Sequence, residues 1–129
     1  MKNNYRLGNR VNLHTFKGYE LKESDLSYIS VQPNNDYNPI PLDEKWLLEL
    51  KFTKMEIESP NDNYFILVNE DQQIRIVKNK DDIKAIYLDT INGMEAIKHQ
   101  LITKDSNFFE VHTLQNLISD HSNPNYPFK

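Results

Sequence analysis

The sequence predicts an α+β protein in which small antiparallel β units are covered by a short tryptophan-containing helix and by C-terminal helices. Three observations carry this expectation. Apolar and polar residues alternate at period two between residues 10 and 31 and again between 52 and 88, in short runs broken by Gly, Pro, Asn and Asp. The stretch from Pro39 to Phe52 breaks that alternation, holds the only tryptophan and sets Trp46, Leu47 and Leu50 at three- and four-residue spacing. The last third shows helical spacing twice, in Met94, Ile97 and Leu101 and then in Val111, Leu114, Leu117 and Ile118.

Residues 1–38 read as an N-terminal β unit. Strands are expected at 10–14, 16–21 and 26–31, with Gly8-Asn9 as a turn and Gly18 as a bulge or sharp bend. Three short curved strands of this kind suit a barrel-like arrangement. Residues 33–39, rich in Pro, Asn and Asp, read as a loop. Residues 39–52 then form the expected core helix. Pro39 and Pro41 keep the chain extended, Asp43 caps the free N–H groups of the first turn, and Glu44 adds negative charge at the positive end of the dipole. Leu42 and Leu47 stand where a hydrophobic staple would place them.

Residues 53–89 read as a four-strand meander, with runs at 52–58, 64–68, 74–78 and 83–88. Residues 90–120 read as helical. Gly93 weakens the start of the first segment, while Asn107 and Glu110 have the spacing of a capping box for the second. The two prolines after His121 end that helix, so 121–129 is expected to be a tail.

At 129 residues, with 38% hydrophobic and 26% charged, the chain has the length and balance of one globular domain. The absence of cysteine removes disulfides, thiolate nucleophiles and cysteine-based zinc sites. No apolar run is long enough for a signal peptide or a membrane span, so a soluble cytosolic protein is expected. The net charge of −4 conceals an asymmetry: Met1 to Lys22 carries +4, and the remainder carries −8. Glu56, Glu58, Asp62, Glu70 and Asp71 fall in a stretch with no Lys or Arg. Such a run is either an acidic face for a cation-rich partner or a merely solvated surface.

Sequence signals for catalysis are sparse. His14, His99, His112 and His121 match no ligand spacing, and no metal site or cofactor is expected. His112 reads as a partly buried residue of the last helix with one satisfied nitrogen. Three glycines leave no phosphate-cradling loop, and no nucleophile-elbow motif occurs. Glu20-Leu21-Lys22 and Glu49-Leu50-Lys51 have the spelling of a nuclease Glu-x-Lys pair. The first has no Asp upstream, and the second lies in a helix, where its charges share no strand face. Asp81-Asp82 reads as a turn.

Arg6, Arg10, Lys17 and Lys22, interleaved with Tyr5, His14, Phe16 and Tyr19, offer a nucleic-acid face on which phosphates pair and bases stack. The acidic remainder of the chain argues against it. The bland reading has Phe16 and Tyr19 in a small core with the cations at its rim.

Three stretches also carry a resemblance. Asn4-Tyr5-Arg6-Leu7-Gly8-Asn9-Arg10-Val11, then Pro39-Ile40-Pro41-Leu42-Asp43-Glu44-Lys45-Trp46-Leu47-Leu48, then Val111-His112-Thr113-Leu114-Gln115-Asn116-Leu117 occur in that order. Together they resemble a family of small uncharacterised proteins of Bacteroidota genomes, phages and prophages, with the pattern GN.V, PIPLTEEWLL and VH.LQNL. Asp43 stands where that pattern has a capping Thr, which preserves the cap chemistry, and the chain departs from the pattern after Leu117. The resemblance implies a mobile-element accessory protein and transfers no catalytic residue. The expected function is non-enzymatic binding of another macromolecule, with inhibition of a host nucleic-acid-targeting defence effector as the sharper form and nucleic-acid binding as the alternative.

Overall fold

A computed structural model describes residues 5–32, 35–55, 62–69, 71–79, 82–93 and 95–122. The fold is α+β and divides into two compact units, Met1–Leu42 with Phe109–Lys129, and Asp43–Phe108. Among the described residues, no helix is long and apolar enough to cross a membrane.

The first unit opens with β1 (Arg10–Leu13) and β2 (Phe16–Glu20), joined by a two-residue turn in which His14 adopts φ +54. Val11 opposes Tyr19 and Leu13 opposes Phe16, with a register shift between them. The third strand is not residues 26–31. That segment is the helix α1 (Glu23–Val31), and β3 (Tyr37–Asn38) completes the sheet in the order β2-β1-β3. The cause of this correction is local. The Asp25 carboxylate accepts from the Lys22 N–H at 2.8 Å and closes the first turn, and Glu23 and Asp25 place negative charge at the dipole's positive end. Leu26 and Ile29, three residues apart, then pack on Val11 and Leu21 with Tyr5, Tyr19 and Tyr37.

The unit is closed by α3 (Val111–Ser122), which lies against β1 and buries Val111, Leu114 and Leu117 as the spacing predicts. Its start is later than expected. Ser106–Phe108 forms a short 3₁₀ turn in place of the Asn107 cap. Thr113 Oγ1 accepts from the Glu110 N–H at 3.2 Å and donates to the Glu110 carbonyl at 2.8 Å, so a Thr three residues in does the capping. The Val111 N–H reaches the Ile40 carbonyl and the Leu42 N–H reaches the Phe109 carbonyl, which ties the Pro39–Leu42 stretch to the start of α3.

The second unit begins with α2 (Glu44–Glu49). Asp43 Oδ1 accepts from the Trp46 N–H at 2.9 Å, the expected cap. The helix ends in a Schellman motif. The Phe52 N–H donates to the Leu47 carbonyl and the Lys51 N–H to that of Leu48, with Lys51 at φ +75 where glycine is the usual residue. Leu47 and Phe52, the hydrophobic partners of that motif, are both buried, whereas Trp46 and Leu50 are half-buried.

An antiparallel meander follows: β4 (Thr53–Met55), β5 (Asp62–Asn69), β6 (Gln72–Asn79), β7 (Asp82–Asn92) and β8 (Glu95–Thr103), in that spatial order. The fifth strand corrects the helix expected over 92–102. Asn92-Gly93 is a hairpin signal, and Gly93 sits at φ +66, a conformation L side chains avoid, although a Cβ there would meet nothing within 4 Å. The eleven residues of β7 offer a long edge, and Ile97, Ile102 and Thr103 suit a strand better than a helix. One sheet face is apolar: Phe65, Ile76 and Ile86 stand in one row with Ile74 beside them, and all four are buried.

Candidate binding face

Because side chains alternate along a strand, Arg75, between Ile74 and Ile76, must emerge on the opposite face of the meander. Strand register sets out three rows there. They are Met55–Tyr64–Val77–Ala85, Ile66–Arg75–Tyr87–Leu101 and Val68–Gln73–Asp89–His99. Asp89 is the centre of the third row and has no exposed surface. Its Oδ2 accepts from Gln73 Nε2 at 2.8 Å and from Arg75 Nε at 2.8 Å, while its Oδ1 lies 2.8 Å from His99 Nδ1 and 3.4 Å from Arg75 Nη2. Burial alone would raise the Asp89 pKa, but the donors from Arg75, Gln73 and His99 outweigh it and hold the carboxyl below the ordinary range.

The Arg75 guanidinium is stacked between two aromatic rings, 4.4 Å from the Tyr87 centroid and 5.1 Å from that of Tyr64. His99 stands apart from these buried groups. Its side chain is 54% exposed on the edge strand, with Nδ1 turned inward to Asp89. Around this polar centre the face exposes Met55, Val68 and Leu101. It therefore combines a rigid, neutralised charge cluster with accessible apolar side chains.

A second polar cluster lies in the first unit. The fully buried Asn9 accepts from the Arg6 N–H at 2.6 Å and donates to Asn116 Oδ1 at 2.9 Å, and Gln115 Oε1 accepts from the Arg10 N–H at 2.8 Å. Tyr5 meets His112 edge-on, with ring centroids 4.6 Å apart. The stretches 5–11 and 39–42, far apart in sequence, are thus each bonded to the stretch 111–117 within the first unit. His112 is fully rather than partly buried. Burial pushes its pKa down to about 4, and its Nδ1 has no partner.

The residues expected to form an acidic face divide. Glu56, Glu58 and Glu70 lie outside the described residues. Asp62 opens β5, where it accepts from Asn79 at 2.8 Å and lies 3.8 Å from Lys84 Nζ, and Asp71 sits in the turn at the other end of the β5–β6 hairpin. Seven residue steps of strand put the two about 25 Å apart, so they do not share one patch.

Of the basic set, Arg6 forms a two-bond fork with Asp120 at 2.8 and 3.0 Å. Arg10 donates to the Gly18 carbonyl at 3.0 Å and lies 3.4 Å from Glu20. The Tyr19 hydroxyl donates to Asp25, Lys22 lies over the Tyr19 ring at 5.6 Å, and Lys17 is exposed on β2. Tyr37 shares Asp25 with Tyr19, and its pKa is pushed up to about 12 by burial and by that carboxylate. Among the described residues, no group of three or more His, Asp or Glu is placed to hold one metal ion.

The Arg75–Asp89–His99 cluster was missed in the sequence. Period-two alternation over 72–90 does put Arg75 and Asp89 on one face, but reading 92–102 as helix removed His99 from the sheet. The fold and this face define an α+β protein with an open-faced antiparallel meander. The chain matches no protein-family model, and no curated protein or solved structure is significantly similar to it.

Proposed function

We propose that this protein works by binding a macromolecular partner through the open face of its meander, and that the partner is a protein. One observation carries the reading: Met55, Val68 and Leu101 are exposed around the fixed Tyr64–Arg75–Tyr87 stack. Tyr, Arg and Met are enriched in protein interfaces, and a stack already ordered in the free chain loses little entropy on docking. In its sharper form the partner is a cation-rich, nucleic-acid-targeting effector of a bacterial host, and the chain is a mobile-element inhibitor of it. The charge layout supports that form, since the chain after Lys22 carries −8.

Direct nucleic-acid binding by the N-terminal strands has less support. Arg6 and Arg10 already pair with Asp120 and Glu20, so engaging phosphate would require breaking those contacts. The test is affinity capture from nuclease-treated host lysate with the intact chain and with the Val68→Asp/Leu101→Asp variant. The proposal expects one stoichiometric protein whose capture drops at least about tenfold in the variant. Capture that is unchanged in the variant, or lost on nuclease treatment, refutes it. Reversing Glu56, Glu58, Asp62, Glu70 and Asp71 to Lys separately tests the electrostatic part.

A further inference from the structure

The same face carries a chemical feature that partner binding does not use. His99 Nδ1 lies 2.8 Å from Asp89 Oδ1, and the carboxyl, held below its ordinary pKa, can only accept. The ring proton of neutral His99 therefore resides on Nδ1, and the lone pair is on Nε2. The side chain is half exposed on an edge strand, so that lone pair is open to solvent. The other described imidazoles differ. His14 meets Asp36 through Nε2 itself, at 3.4 Å with both side chains exposed, and His112 is buried. Any electrophile that adds to His99 Nε2 leaves the ring cationic. Arg75, whose Nη2 is 3.5 Å from Nδ1, opposes that charge, while Asp89 stands at hydrogen-bond distance to offset it.

We propose that His99 Nε2 is a nucleophilic acceptor for acyl groups from neutral activated esters. The acyl class follows from the surroundings. The net charge of −4 disfavours phosphoryl dianions, and Leu101, opposite Tyr87 in the neighbouring row and 44% exposed, offers apolar contact to an acyl chain. The Nε2 lone pair attacks the acyl carbon, the N–C bond forms, the ester C–O bond breaks, and the alkoxide or phenoxide leaves with the electron pair. The acylated ring keeps its Nδ1 proton against Asp89. Water then attacks the same carbon, the C–N bond breaks, and the carboxylate leaves while two protons pass to bulk water, restoring neutral His99. Asp89 acts as a positioning residue. The chemistry is a property of the free chain and is independent of whether any partner is found.

The intact protein is treated with p-nitrophenyl acetate at mildly alkaline pH, following nitrophenolate absorbance and mapping acetylated peptides by mass spectrometry. Acetyl is expected on His99, and His99→Gln, at an exposed position that preserves the fold, should lower the protein-dependent rate about tenfold while His14→Gln does not. Asp89 as a positioning residue is read from the ring itself: His99 should hold the Nδ1–H tautomer in its 15N spectrum, and Asp89→Asn should mix the two tautomers because an amide can donate as well as accept. A rate within twofold of wild type in His99→Gln, or equal acetylation of His14 and His99, overturns the proposal. So does an unchanged His99 tautomer in a folded Asp89→Asn variant. If that variant does not fold, the His99→Gln comparison decides alone.

Discussion

Replacing Asp89 by Asn keeps the shape of the side chain and removes its charge, which isolates the electrostatic part of the buried cluster. Asp89 has no exposed surface and receives the guanidinium, the Gln73 amide and the His99 ring at hydrogen-bond distances. The substitution leaves Arg75, itself only 14% exposed, without a counter-charge. Removing one partner of a buried pair costs about 3–5 kcal/mol, and the partial exposure of His99 puts this case at the lower end, about 3 kcal/mol. Arg75→Met strands the carboxylate instead, but Gln73 and His99 still serve it, so about 2 kcal/mol is expected. With both changes neither charge is left alone, and the double variant should cost at least about 1 kcal/mol less than the sum of the singles. Urea titration followed by Trp46 fluorescence reports on the unit that contains the cluster. Additivity within about 0.5 kcal/mol would refute the claim that these two side chains form one energetic unit. Because the Asp89 pKa is depressed, its contribution is complete above the ordinary carboxylate range and is lost as pH falls through its folded value.

Two further predictions concern the backbone and the buried histidine. Lys51→Gly should stabilise the protein by about 0.5–1 kcal/mol, because Lys51 holds φ +75 at the Schellman position, and an unchanged or lowered urea midpoint would contradict that account. His112 is neutral in the folded chain, with its pKa lowered from 6.5 to about 4 by burial. The unfolded chain takes up that proton first, so stability should fall as pH drops from 6.5 toward 4, by at most about 3 kcal/mol. Substitution by Phe should flatten the curve in that window, and a wild-type curve already flat there would show that the imidazole is accessible to protons after all.

Where local chemistry and tertiary context agree, the sequence was sufficient. Asp43 capping Trp46, the strands around Phe65 and Ile76, and the Val111–Leu114–Leu117 stripe all lie where pattern alone places them. It misled where two periods fit the same residues. Leu26 and Ile29 sit in a run that also reads as alternating, and the deciding contact is the bond from the Lys22 N–H to Asp25, a residue just outside that run. Over 92–102, the spacing of Met94, Ile97 and Leu101 suggested a helix, whereas Asn92-Gly93 pointed to a hairpin and the long edge of β7 made pairing the better outcome. The polar cluster was hidden for the same reason. Its members come from three strands, and nothing local to Asp89 announces that Gln73 and His99 will be beside it.

The chain order of the two units has a consequence for how the protein is made. The second unit is one uninterrupted segment, whereas the first is assembled from both sides of it and is finished only by α3. On the ribosome, all five strands of the meander exist before the helix that supplies Gln115 and Asn116 has been synthesised. Until then Asn9 has no amide partner and Arg6 no carboxylate at Asp120. The segment that opens the chain must therefore wait, with its polar groups served by water, while the middle of the chain folds ahead of it. The join at the end of that wait lies inside the first unit: the Leu42 N–H donates to the Phe109 carbonyl at 3.0 Å, and forming it closes a loop that contains the whole second unit.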